Sequence, residues 1–342
     1  MDDTSNPSRR RFLLTSAGLV LAGAAGLALP RRALAATPAK SKIRDISVGP
    51  KGTTITMDLE TAPFPCHGSP YKDPTVIAFV PKYFRVSSDE RIDVIVHFHG
   101  YRDTAEDAMK RHQLREQLFA SKQNAIIVFP QGPVRAEDMA GGKLDAQDGL
   151  VNFLTELRET LQTPKLQARM ERSGIPSRAR VGKVILSCHS GGFRVVSYCI
   201  EVGGFNVNEV YLFDALYGRT GTFRDWVVAT YKNGGTDAER HKLVSFYSGE
   251  APTIENKRLM WFFDQAGVAY GQEQVEGTEL SKRAITKSRA IFIRTQADHD
   301  RVLWTTNALR DCLYASCLER HLKSDWFKDP GQTRLDENPK PK

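Results

Sequence analysis

Apolar runs and amphipathic stretches alternate along most of this chain, and their alternation predicts its elements. A short apolar run bounded by turn residues predicts a buried strand, whereas apolar residues that recur every three or four positions predict a helix. The predicted strands cover residues 75–81, 92–100, 124–129, 184–186, 210–213, 242–247 and 290–294. The predicted helices cover residues 104–121, 149–172, 193–201, 222–232, 253–265 and 301–321.

This order of elements favours an α/β fold with a mostly parallel central sheet and helices on both of its faces. Turn residues at 49–52 interrupt an alternating stretch near the start, which predicts an N-terminal antiparallel hairpin. In parallel sheets of this kind, ligands bind beyond the carboxyl ends of the strands. We therefore expect the functional residues to follow the predicted strands.

The N-terminus has the three parts of a secretory signal: Arg9, Arg10 and Arg11, an apolar stretch over 12–29, and a small-residue cleavage site that ends at Ala35. Paired arginines followed by Phe-Leu resemble the twin-arginine signal of bacteria. Residues 1–35 are therefore predicted to direct export to the periplasm or medium through the twin-arginine machinery, with no stable membrane span after processing. An uncleaved anchor is the alternative, which three glycines within the apolar stretch disfavour.

The composition is typical of a folded chain, since 41% of the residues are apolar and 26% are charged. We expect one large domain over 36–328 and a disordered polar tail over 329–342. The formal net charge is +8, but five arginines against two aspartates within residues 1–35 supply part of it. No basic run interleaved with aromatics follows the signal, so we expect no nucleic-acid partner.

Five cysteines, an odd number, leave at least one free thiol in an exported protein. Cys188 and Cys199 have apolar neighbours and are predicted to be small buried thiols. Cys312 and Cys317 are five positions apart on a predicted helix and are poorly placed to bridge each other. A disulfide that involves Cys66 is possible, but its partner cannot be assigned from the sequence.

A sharp turn between a strand and a helix is predicted at Ser187-Cys188-His189-Ser190-Gly191-Gly192. A serine at the tip of such a turn has a strained backbone that holds its hydroxyl clear of the sheet. Residues two before and two after the serine approach each other closely, so they must be small, and here they are Cys188 and Gly192. Cysteine in place of the usual first glycine is a departure from the pattern. Ser190 is the predicted nucleophile.

Strand, nucleophile turn, acid and histidine follow one another in an order that resembles the α/β-hydrolase superfamily over nearly the whole predicted domain. The resemblance implies a serine acyl hydrolase that needs no cofactor. His299, directly before the last predicted helix, is the candidate general base. Asp214 interrupts a very apolar strand and is the preferred acid, with Glu250, one strand later, as the alternative.

Backbone donors for an oxyanion are expected at Gly191 and at the turn formed by Gly100 and Tyr101. His99 is a candidate for shaping this turn and for contacting substrate, whereas His97 and His189 are expected to pack or to form hydrogen bonds. Metal binding by His97 and His99 is disfavoured because no third ligand follows at a recognisable spacing.

Substrate recognition is the least determined feature. The loop over 134–148 follows a strand and is expected to roof the cleft, with Lys143 as a candidate substrate contact. No long insertion forms a helical cap, which suggests an open site. The sequence therefore predicts an exported serine hydrolase that acts on an ester, amide or acyl bond of a small-molecule or cell-envelope substrate, more esterase than peptidase. A non-catalytic periplasmic binding protein on the same fold is the alternative.

Overall fold

Residues 41–170, 173–232, 240–320 and 322–323 are described by a computed structural model of the chain. The signal predicted for residues 1–35 and the tail predicted for 329–342 lie outside the described residues. No described helix is both long and apolar enough to cross a membrane.

The elements follow the predicted alternation closely. The strands are β1 Lys42–Gly49, β2 Gly52–Asp58, β3 Thr75–Pro81, β4 Arg91–Phe98, β5 Ala125–Pro130, β6 Arg180–His189, β7 Glu209–Phe213, β8 Lys242–Tyr247, β9 Gly271–Glu273 and β10 Ala290–Arg294. The helices are α1 Ala105–Arg111, α2 Leu114–Ser121, α3 Gly149–Leu161, α4 Pro164–Met170, α5 Phe193–Val202, α6 Thr220–Lys232, α7 Glu250–Ala266, α8 Lys282–Lys287 and α9 Ala308–Tyr314.

All these strands belong to one mixed sheet with the order β1-β2-β3-β5-β4-β6-β7-β8-β10-β9. Strands β1, β2, β3 and β5 pair antiparallel, so the predicted N-terminal hairpin is present as β1 and β2. From β5 to β9 every pairing is parallel. The chain crosses from β4 to β5 on one side and returns to β6 on the other. Strands β4 and β6 therefore flank the point where the strand order reverses, which is where parallel sheets place their ligand sites.

Both faces of the sheet are covered, because consecutive strand residues enter different hydrophobic clusters. Val94 and Val96 pack on one side with residues of α3, α5 and α7, whereas Ile95 packs on the other with residues of α1, α2 and α9. Burial on both sides explains why the strands read as continuous apolar runs. The α/β architecture predicted from the sequence is confirmed.

Three predicted helices are shorter than the sequence suggested. Residues 104–121 form two helices, because the apolar positions slip out of helical phase between Met109 and Leu114, and Gln113 adopts a left-handed backbone with φ of 51° between them. Pro164 separates α3 from α4, since proline lacks the N–H that a continuous helix needs. The last helix is confined to Ala308–Tyr314, and the segment before it consists of turns.

Candidate active site

The turn after β6 has the strained backbone that the sequence predicts. Ser190 has φ of 51°, a region that side chains other than glycine rarely adopt, and α5 begins three residues later. Strain of this kind persists only where the surrounding structure enforces it, and it is concentrated at functional sites. The turn is tight enough that a Cβ added at Gly192 would lie 2.7 Å from the Cβ of Cys188. Cysteine is thus accommodated at this position because its partner across the turn has no side chain.

The turn after β4 lies directly against Ser190. A Cβ added at Gly100 would lie 2.8 Å from the Cβ of Ser190 and 3.3 Å from its Oγ. Gly191 is covered on two sides, because a Cβ there would lie 3.3 Å from Cδ1 of Tyr101 and 2.0 Å from Sδ of Met139. The predicted nucleophile and the three predicted oxyanion residues are therefore neighbours.

Asp214 and His299 are joined by a hydrogen bond of 2.6 Å between Oδ2 and Nδ1. Asp214 ends its apolar strand in a left-handed conformation, with φ of 44°, and its side chain is only 2% exposed. Its Oδ1 accepts a second hydrogen bond of 2.7 Å from the backbone N–H of Ser248. Glu250, the alternative acid, begins α7 and is exposed.

The hydrogen bond between Asp214 and His299 shifts the pKa values of the two residues in opposite directions. The hydrogen bond to Asp214 raises the pKa of His299 above its ordinary value of 6.5, against the opposing effect of burial. Burial acts to raise the pKa of Asp214, but hydrogen bonds from His299 and Ser248 outweigh it and lower that pKa overall. Asp214 is therefore ionised at neutral pH and stabilises the protonated imidazole.

His189 connects the serine turn with the histidine loop. Its Nε2–H donates a hydrogen bond of 2.7 Å to the backbone carbonyl of His299, and the two ring centroids are 4.7 Å apart. Burial lowers the pKa of His189 to about 4, so this ring is neutral at neutral pH. The centroid of the His112 ring lies 5.1 Å from that of His189, and His112 is almost fully buried. The sequence assigned His189 a packing or hydrogen-bonding role, and the structure gives it both.

His99 is held by the backbone around it. Its Nδ1–H donates to the carbonyl of Gly100 at 2.8 Å, and its Nε2 accepts the N–H of Gly132 at 3.0 Å and the side-chain amide of Gln131 at 2.9 Å. These bonds support the turn-shaping role considered for His99. The ring also lines a cleft beside Gly100, so the substrate contact expected for it stays a prediction.

Lys143 is not among the residues that line the cleft, and the substrate contact expected for it stays a prediction. Its ammonium donates to the carbonyl of Glu60, and its backbone N–H donates to the carbonyl of Pro63 at 2.9 Å. The loop over 134–148 nevertheless borders the cleft, through Asp138, Met139 and neighbouring residues. Its site-facing side chain is thus Met139, which sequence reasoning did not single out.

Tyr217 was also missed by the sequence. Its hydroxyl lies 3.3 Å from Nδ1 of His299, and burial raises its pKa to about 12. It follows β7 in a loop that shows no local pattern, and only the position of Asp214 three residues earlier marked this segment.

Among the residues that the structure describes, no group of three or more His, Cys, Asp or Glu is arranged to hold a metal ion. His97 bonds through Nδ1 to Oγ of Ser187 at 2.9 Å, and burial lowers its pKa to about 3.

All five cysteines are described and each is unpaired. As predicted, Cys188 and Cys199 are buried.

No family model and no curated protein matches this chain. Similar solved structures include a ferulic acid esterase, with 16% identity and a TM-score of 0.44, which covers 80% of this chain and 97% of that one. A mutant feruloyl esterase module from Clostridium thermocellum has 11% identity and a TM-score of 0.43, with 83% and 90% covered. S-formylglutathione hydrolase from Staphylococcus aureus has 11% identity and a TM-score of 0.42, with 79% and 100% covered. These identities and TM-scores are too low to transfer a function from those proteins to this chain.

Proposed function

We propose that this chain is a serine hydrolase that cleaves esters through a triad of Ser190, His299 and Asp214. The observation that carries the proposal is the 2.6 Å hydrogen bond between Asp214 and His299, on a loop that His189 ties to the strained Ser190 turn. Serine is a weak nucleophile at neutral pH and needs an adjacent base. A carboxylate that orients the imidazole of that base completes the arrangement.

The Asp214 hydrogen bond fixes which nitrogen of His299 acts as the base. Because Asp214 is ionised and can only accept, Nδ1 of His299 carries the proton that joins them. The neutral imidazole then has its lone pair on Nε2. In the first step this lone pair takes the proton of the Ser190 hydroxyl while Oγ attacks the acyl carbon of the ester.

Collapse of the tetrahedral intermediate breaks the bond from the acyl carbon to the alcohol oxygen, and His299 gives its proton to that oxygen. The acyl group remains on Oγ of Ser190. Water then repeats the sequence, losing a proton to His299 and releasing the acid as Ser190 regains its hydrogen. Asp214 stays ionised throughout.

Negative charge that develops on the acyl oxygen needs donors that are already in place. We assign one to the backbone N–H of Gly191 and the second to the turn of Gly100 and Tyr101. Support comes from the contact of Gly100 with Ser190 and from the packing of Tyr101 on Gly191. Backbone donors that are fixed before reaction lose no energy to reorganisation, and each contributes about 10²- to 10³-fold to turnover.

A fluorophosphonate probe tests the proposal directly, because it labels only an activated serine. We expect the wild type to be labelled and Ser190→Ala to be unlabelled. Ser88→Ala is the matched control, since Ser88 is exposed in the loop before the amino end of β4. A folded wild type that neither takes the label nor hydrolyses p-nitrophenyl esters would instead support the alternative of a binding protein without catalysis.

Export remains a proposal from the sequence. The pattern in residues 1–35 leads us to propose twin-arginine export and release into the periplasm or medium. Replacing Arg10 and Arg11 by lysine should retain the unprocessed chain in the cytoplasm, as seen by fractionation and immunoblotting. Unchanged export of that variant would contradict the proposal.

A further inference from the structure

A narrow apolar cleft opens beside the serine turn. Gly100 and Gly191, the predicted oxyanion residues, form part of its lining, together with Phe98, Met139 and Val195. Among the described residues that line the cleft, Asp138 is the only one that carries a charge, and its side chain is exposed at the surface. Burial lowers the pKa of the lining residue His99, so that ring is neutral at neutral pH. A group bound here would meet apolar surface and backbone.

One wall of the cleft is the side chain of Met139. Its Sδ and Cε occupy the space next to Gly191, at 2.0 and 2.1 Å from where a Cβ of residue 191 would be. A side chain at position 191 would compete with Met139 for this space. The thioether therefore fills a volume beside the nucleophile that glycine leaves open, and methionine adapts easily to such gaps.

The backbone of this wall is fixed to the helix that follows the nucleophile. Nη1 of Arg194, in the first turn of α5, donates to the carbonyl of Met139 at 3.2 Å and to Oδ2 of Asp145 at 2.7 Å. Oδ2 of Asp145 also accepts the N–H of Gly141 at 3.0 Å. The hydrogen bonds thus set the position of the Met139 backbone relative to Ser190.

We propose that this cleft receives the acyl group of the substrate, that it selects short, apolar, uncharged acyl groups, and that Met139 is the residue that limits their length. This inference rests on the proposed hydrolase function. When the acyl carbon lies at Oγ of Ser190 and its oxygen at the N–H of Gly191, the rest of the acyl group extends beside Gly191 and reaches the thioether. An anionic acyl group would lose its hydration among apolar side chains and would meet the Asp138 carboxylate.

Hydrolysis of a graded series of p-nitrophenyl esters tests the inference with the purified protein. We expect kcat/KM to fall at least about 10-fold from butyrate to octanoate, since a single methylene in an apolar pocket changes the rate about 10- to 200-fold. The hemisuccinate, similar in length to butyrate but anionic, should react at least about 10-fold more slowly than butyrate.

Two variants change the wall in opposite directions. Met139→Ala should raise the octanoate-to-acetate ratio of kcat/KM at least about 10-fold, and Met139→Phe should lower the butyrate-to-acetate ratio by a similar factor. Val134→Ala is the matched control, because Val134 belongs to the same loop, is 40% exposed and does not line the cleft. Circular dichroism establishes that each variant is folded, and either of the two Met139 variants is sufficient for the test.

The outcomes separate this inference from the function on which it rests. Suppose that Ser190 is labelled by the fluorophosphonate but that kcat/KM depends neither on acyl length nor on residue 139. This result would overturn the acyl-cleft assignment without contradicting the proposed hydrolase function. Hemisuccinate cleavage as fast as butyrate would overturn the exclusion of anions. A folded wild type with neither labelling nor hydrolysis would overturn both proposals together.

Discussion

Replacement of Asp214 by asparagine removes the charge of the proposed triad acid and keeps its shape. The Oδ1 atom of Asp214 accepts the N–H of Ser248, and Oδ2 accepts Nδ1–H of His299. An asparagine that keeps the Ser248 bond must present its NH₂ group to His299. The imidazole then becomes the acceptor at Nδ1 and carries its proton on Nε2, where it cannot take the proton of Ser190.

We expect Asp214→Asn to lower kcat about 10⁴-fold, which is the effect of this exchange in a well-characterised triad. That loss corresponds to about 5 kcal/mol of transition-state stabilisation. The measurement is kcat and KM for p-nitrophenyl butyrate across pH 5 to 9. KM should change little, because the acid does not contact the ground-state ester.

The pH profile gives an independent readout of the same bond. In the wild type the hydrogen bond to Asp214 raises the pKa of His299 above 6.5, so activity should rise with pH through a midpoint above that value. Residual activity of Asp214→Asn should show its acid limb at lower pH, because the anion that stabilised the protonated imidazole is gone. Glu250→Gln is the control and should retain both rate and profile. Full activity in Asp214→Asn together with its loss in Glu250→Gln would show that the acid assignment is wrong.

Three further predictions concern the support of the site. Gly192→Ala should destabilise the fold by about 1–3 kcal/mol in urea unfolding, since the new Cβ would lie 2.7 Å from that of Cys188. Adding Cys188→Gly should recover part of this loss. Unchanged stability of Gly192→Ala would contradict the tight turn. The variant His189→Phe keeps a ring at this position but loses the hydrogen bond to the carbonyl of His299. We expect kcat to fall about 5-fold at constant KM. A change in KM alone would argue against a positioning role for His189. The carboxylate of Glu276 accepts hydrogen bonds from the hydroxyls of Thr295 and Thr306, at the two ends of the loop that carries His299. We therefore expect Glu276→Gln to lower the free energy of unfolding by about 1–3 kcal/mol, measured by calorimetry. An unchanged melting temperature would contradict this.

Local sequence was sufficient where neighbouring residues decide the conformation. The apolar run into Ser190 and the glycines after it predicted the strand, the strained turn and the helix, because strand burial and glycine backbone freedom are local properties. Asp214 was recognisable as a candidate since a carboxylate in an apolar strand requires a partner. The N-terminal hairpin followed from its turn residues in the same way.

Local sequence was insufficient where helix length depends on distant contacts. The last predicted helix, 301–321, is reduced to Ala308–Tyr314. In the segment before it, the hydroxyl of Thr306 donates to Glu276 from elsewhere in the chain, a contact that the local sequence does not show. Strand β9 and helix α8 are too short, at three and six residues, to show a period.

The sequence by itself determined the alternation of elements, the serine turn and a short list of residues able to act at the strand ends. Only the tertiary structure paired Asp214 with His299, 85 positions apart, and left Glu250 exposed on α7. It also placed Met139 beside Gly191 and the ammonium of Lys143 on the carbonyl of Glu60. These contacts depend on which strand ends become neighbours when the sheet forms, and no local sequence pattern determines which ends those are.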